Sequence, residues 1–306
     1  MSIHGKDTGV VLMTYGSATT ADHVQEYFDR IYDGKASSSL IEDFKNRYRL
    51  VGHSPLIEIT EAQAILLEKQ LGNTYAVRAG MRHSAPYIED AIAACKAAGA
   101  TSLVGIILSP QFSSFIMGGY QSDFMQGARK HGFYMNKISI AKPWPAEPYF
   151  IELLVNRIEK LLEQLRRIYN ITVPVIFTTH SLPQRVIAED PQYLEQLATT
   201  IDAICKKLSG IEWYAGYQSA GHTPEAWLKP DLVDILRDLH QKKVPAALIV
   251  PIQFLSDHLE VLYDLDIAAR RQCEEYGIGY HRISLPNTDP VFISALASIV
   301  QGVQFE

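Results

Sequence analysis

The chain has 306 residues, 47% of them hydrophobic, which is enough for two moderate cores. A formal charge of −6 and the lack of basic runs exclude nucleic acid and anionic membranes as partners, because nothing is present to neutralise phosphates. Cys95, Cys205 and Cys273 lie far apart with no CxxC, which excludes a disulfide framework and a cysteine-ligated cluster. The start, MSIHGKDTG, lacks the charged and apolar regions of a signal peptide, and no apolar run approaches the roughly 18 residues of a membrane span. The expectation is a cytoplasmic protein, not an integral membrane protein, that handles a small molecule.

In chain order, GVVLMTY (9–15), TYAVRAG (74–80), SLVGIIL (102–108), KISIAK (137–142), VPVIFTT (173–179), EWYAGY (212–217) and AALIVPI (246–252) are apolar runs of strand length. Between them, APYIEDAIAACKAAG (85–99) and EPYFIELLVNRIEKLLEQLRRIY (147–169) space their apolar residues by three and four, the helical period. Short apolar strands alternating with helices predict an α/β fold with parallel sheets covered on both faces. Ligands in such folds bind at the carboxyl ends of the strands.

A weak internal repeat divides the chain. The first half runs TYGS, AGMR, LSPQFSSF after successive strands, and the second runs THSLP, AGYQS, VPIQFLSDH. This predicts two similar α/β domains, residues 1–146 and 147–306, facing each other across a cleft, with a long helix from about Glu147 to Tyr169 joining them. No low-complexity linker intervenes, so the domains are expected to pack closely.

His180 ends the run PVIFTT, at a strand tip facing the cleft. Most lone histidines only bond a neighbouring backbone group, but a second cluster converges on the same place: Asp257, His258, Glu260, Asp264 and Asp266 follow another strand. Asp257 is expected to cap a helix, and Glu260 and Asp264 are four apart on one helical face. Glu260, between Leu259 and Val261, is expected to have a raised pKa suited to proton transfer. An imidazole and a carboxylate bind Fe²⁺ or Zn²⁺, and two ligands leave the shell open, so the ion is expected to pass through rather than stay. Tyr15, Phe112, Phe115, Tyr120 and Phe254 lie at or beyond strand ends; they are core or the walls of a site for a flat aromatic ligand.

HSLP (180–183), GYQS (216–219), TPEAWLKPD (223–231) and DHLEVLYDLD (257–266) resemble the ferrochelatase family, in the same order and over essentially the whole chain. LMTYGS (12–17) and DFKNRYRLVGHSPLIEITEAQA (43–64) are similar to its Gram-positive branch, which acts on coproporphyrin III. The resemblance implies two opposed Rossmann-like domains. It implies insertion of Fe²⁺ into coproporphyrin III to give coproheme in heme biosynthesis. His180 and Glu260 would handle the entering iron and departing protons, with Asp264 as a further metal ligand. Tyr15 would be the axial ligand of the product iron, and Arg47, Tyr48, Ser54 and Tyr120 would hold the porphyrin. Fe²⁺ is then a substrate, with no permanent cofactor and no iron–sulfur cluster. A monomer is expected, with transient handover to the next heme-pathway enzyme.

The chain departs from the family pattern at IYDG, where Tyr32 and Asp33 replace a basic pair, and at Ala268, where the acidic ladder would continue. His83 matches a family histidine but also suits a turn. The alternatives that stay open are a protoporphyrin IX ferrochelatase, a cobalt chelatase and a non-enzymatic heme or metal carrier.

Overall fold

The structure is a computed structural model of the chain and describes residues 6–221 and 224–305, so that Thr223 of the TPEAWLKPD motif lies outside the described residues. Strands β1 (Thr8–Thr14), β2 (Tyr75–Met81), β3 (Ser102–Ile107) and β4 (Ile138–Ile140) form one sheet in the order β2-β1-β3-β4. Strands β5 (Val175–His180), β6 (Trp213–Gln218), β7 (Ala246–Pro251) and β8 (Gly279–Arg282) form a second in the order β6-β5-β7-β8. All pairings are parallel. The second sheet repeats the first strand for strand, as the repeated strand ends imply. Only β8 went unread in the sequence: GYHR is four residues long and half-buried throughout, so it leaves no apolar run to recognise.

The helices are α1 (Val24–Ile31), α2 (Ser38–Val51), α3 (Leu56–Leu71), α4 (Ile88–Ala97), α5 (Ser114–Lys130), α6 (Pro148–Tyr169), α7 (Gln184–Glu189), α8 (Gln192–Lys207), α9 (Leu232–Gln241), α10 (Arg270–Tyr276) and α11 (Pro290–Gln301). Helix α6 begins where expected because Glu147 accepts the Phe150 N–H at 2.7 Å and Pro148 opens the first turn; it ends at Asn170, whose φ of 54° is left-handed. One apolar cluster runs from Val10 and Leu12 on β1 through Phe150 and Leu154 on α6 to Val175, Val250 and Phe292, so both sheets rest on a shared core.

Polar bridges tie the halves around the cleft. Gln111 Nε2 donates to Thr200 Oγ1 at 3.0 Å and to the Ile252 carbonyl at 3.2 Å, and Gln63 Nε2 donates to the Asn287 carbonyl at 2.7 Å. Helix α5 lacks a cap from its own Ser113; Asp190 Oδ2, from the loop after α7, accepts the Ser114 N–H at 2.6 Å instead. Between β7 and α10 the chain winds as a π-helix, Val261–Ala269. Among the described residues, no helix is long and apolar enough to cross a membrane.

Candidate active site

In each sheet the strand order reverses beside the first strand, β1 or β5, and that is where side chains at the carboxyl ends meet a ligand. Tyr15 follows β1 and His180 ends β5. The backbone pins His180: its N–H donates to Gln253 Oε1 at 2.9 Å, and the Tyr193 hydroxyl lies 3.0 Å from its carbonyl. His180 Nδ1 is 2.5 Å from the Ser181 carbonyl, which only accepts, so Nδ1 carries a hydrogen and Nε2 is the nitrogen left free to act. That Nε2 lies 3.7 Å from Glu260 Oε2.

His258 reaches the same carboxylate oxygen. Its Nδ1 is 2.9 Å from the Ser256 carbonyl and its Nε2 is 3.8 Å from Glu260 Oε2, with the Phe254 ring against both histidines. The D-H-x-E spacing carried this signal, but reading His258 as part of an acidic helix start hid it.

The electrostatics reverse one sequence expectation. Burial alone would push the Glu260 carboxyl up, but His180, His258 and Arg47 outweigh it and hold the group at about 2, so Glu260 is an anion and not a raised acid. In return Glu260 raises the pKa of His258 against the opposing effect of burial. The raised carboxyl is Asp264, pushed up to about 6 by burial and by Glu260. The Ser219 hydroxyl donates to Asp264, and Arg47 Nη1 lies 3.5 Å from it. Asp257 does not cap the helix: Asn287 Nδ2 donates to its Oδ2 at 2.7 Å, and Arg282 stands 3.7 Å from its Oδ1.

The first half supplies the opposite wall. Tyr15 is exposed and its ring packs 4.4 Å from that of His83, whose pKa is lowered to about 4 by burial and by Arg82. Tyr120 is buried, with the Arg82 guanidinium 5.9 Å from its ring. Arg47 spends Nε and Nη2 on Asp43 at 3.0 and 2.9 Å and packs between the Phe44 and Tyr263 rings.

Three residues expected to hold porphyrin are buried, Tyr120 at a relative exposure of 5% and two more deeply. Tyr48 and Ser54 have relative exposures of 2% and 0%; Tyr48 donates to the Ala18 carbonyl at 2.5 Å, and Ser54 Oγ accepts from Ser17 at 2.8 Å and from the Leu259 N–H at 3.3 Å. Burial pushes the Tyr48 hydroxyl up to about 12, so it stays neutral. Both lie in or beside the apolar cluster of Val24, Phe28, Ile41 and Leu259, which buries them because the first turn of the Glu260 helix packs there. In this structure they fasten the helix that carries Glu260 and present nothing to the cleft.

Among the described residues, no group of three or more His, Cys, Asp or Glu side chains is arranged to hold a metal ion. The convergent donors are the His180–Glu260 pair, with His258 beside the carboxylate.

The fold is that of the chelatases. SirB of Bacillus subtilis, solved with Fe³⁺, matches it with a TM-score of 0.60 over 96% of this chain and 94% of its own, at 13% identity. The ferrochelatase family model matches residues 7–303. A protein of Geobacillus sp. strain WCH70 named coproporphyrin III ferrochelatase is 38% identical over 304 residues, covering 96% of this chain and 97% of its own. One of Geobacillus thermodenitrificans with the same name is 36% identical over 303 residues, 96% and 95% of the two chains. The chain belongs to the ferrochelatase family.

Proposed function

We propose that the protein inserts Fe²⁺ into coproporphyrin III, releasing two protons, as a cytoplasmic step of heme biosynthesis. The carrying observation is the pair at the tip of the second sheet, His180 Nε2 and Glu260 Oε2 at 3.7 Å. The relatives named coproporphyrin III ferrochelatase support the choice of macrocycle. Replacing two pyrrole protons by a divalent ion transfers no electrons, so the reaction calls for no resident cofactor and Fe²⁺ is a substrate.

Each group has a task that follows from its state. Glu260, held anionic, attracts the entering cation and balances charge on His180. His180 presents a lone pair to a pyrrole N–H and takes its proton, a transfer that needs the imidazole neutral at the moment of attack. Tyr15, on the opposite face, is the ligand for the product iron. Tyr120 and Arg47 line the ring's edge, Arg47 exchanging Asp264 for a propionate. Tyr48 and Ser54 hold the Glu260 helix in place.

An anaerobic spectrophotometric assay with Fe²⁺ and either coproporphyrin III or protoporphyrin IX tests this reading. Faster metallation of coproporphyrin III is expected. Faster metallation of protoporphyrin IX would move the substrate, and porphyrin binding without metallation would make the protein a carrier.

A further inference from the structure

Two arginines of the first half stand at the cleft, and their hydrogen bonding differs. Arg47 has all three of its nitrogens engaged, two by Asp43 and one by Asp264. Arg82 follows β2 directly, and its N–H donates to the Thr14 carbonyl at 3.0 Å, which sets it beside Tyr15. Its Nε donates to Asp123 Oδ2 at 3.0 Å, while among the described residues neither Nη has an acceptor. The side chain is 29% exposed.

The surroundings hold that guanidinium in one place. It lies against Gly119, where a side chain would occupy the position of the guanidinium carbon, and over the edge of the Tyr120 ring. Gly119 has no positive φ to require glycine, so the close approach of Arg82 is what its missing side chain permits. A guanidinium held through Nε, with neither Nη taken by an acceptor among the described residues, keeps a fork of the geometry that a carboxylate accepts from.

Resting on the function proposed above, we infer that Arg82, seated on Gly119 and oriented by Asp123, binds a carboxylate of the tetrapyrrole periphery. It is the cation of this wall whose fork is unspent before substrate arrives.

Fluorescence titrations of the full chain with coproporphyrin III and with its tetramethyl ester, which keeps the ring and removes the negative charges, test the assignment. Arg82→Gln should weaken binding of the tetra-acid about tenfold and leave the ester unaffected. Arg82→Lys, which keeps the charge and loses the fork, should fall between. Gly119→Ala moves the guanidinium without altering charge and should reproduce part of the loss, and it keeps the test open if Arg82→Gln does not fold. Arg237→Gln, at an exposed position of α9, is the control. Tetra-acid affinity within about twofold of wild type in Arg82→Gln, or equal losses for acid and ester, overturns the inference alone. Wild-type protein that binds neither porphyrin brings down the functional reading and this inference together.

Discussion

Tyr15 and His180 occupy the same place in two copies of one topology, each at the end of a first strand where the strand order turns. Their surroundings differ. Around Tyr15 the first sheet gathers His83, Tyr120 and Arg82, groups that stack, donate or attract an anion. Around His180 the second sheet gathers His258, Glu260 and Asp264, groups that bind a cation or exchange protons. The repeat fixes where a ligand sits, and the loops after the strands decide which wall grips it and which reacts with it.

The largest break in that division should come from the reactive wall. His180→Ala and Glu260→Gln should each lower turnover by about 100-fold or more while porphyrin affinity is retained. Glu260 is held as an anion by its cationic neighbours, so the glutamine variant mimics a protonated state that the wild type enters only in strong acid, and raising the pH should not rescue it. Steady-state rates across pH beside binding titrations check both; a variant that loses binding in proportion to rate would place that residue on the gripping wall. Tyr15→Phe probes the other wall, with a change in the absorption spectrum of bound product and a smaller loss of rate. An unchanged spectrum would remove Tyr15 as the iron ligand.

The smallest effect is one of stability. Asp264 is raised from 3.8 to about 6 in the folded chain, so folding keeps a proton that the unfolded chain releases between those values. The contribution of this group is therefore full below about pH 4 and is lost as pH rises through about 6. Asp264→Asn removes that loss and should stabilise the protein at pH 7.5 by at most about 3 kcal/mol, with no gain near pH 4. Denaturant midpoints at the two pH values decide it, and a destabilised variant at pH 7.5 would mean that the Arg47 ion pair outweighs burial.

What the sequence disclosed was what local pattern encodes. Apolar runs marked the strands from β1 to β7, and residues just past them marked the cleft. What stayed hidden depends on contacts between distant segments. Asp257 looks like a cap until Asn287 and Arg282 arrive from beyond the next helix. Glu260 looks like a raised acid until Arg47, from the other half, and two histidines are counted around it. Ser54 and Tyr48 match family positions that hold the porphyrin, but here both are buried beside Leu259, more than 200 residues away in the chain. The winding of Val261–Ala269 was also unreadable, because LEVLYDLD fits the α-helical period well enough to pass for it.

That winding bears on how the sequence can change. A π-helix amounts to an α-helix carrying extra residues, and its hydrogen bonds are the poorer for it. Deleting one residue between Val261 and Leu265 would let the segment relax, a gain for the helix taken alone. The same deletion would turn every later side chain around the axis, carrying Asp266 away from the Arg282 guanidinium that now holds both of its oxygens. The length of this stretch is therefore constrained, because a shortening that improves the local winding disassembles the face behind the reactive carboxylates.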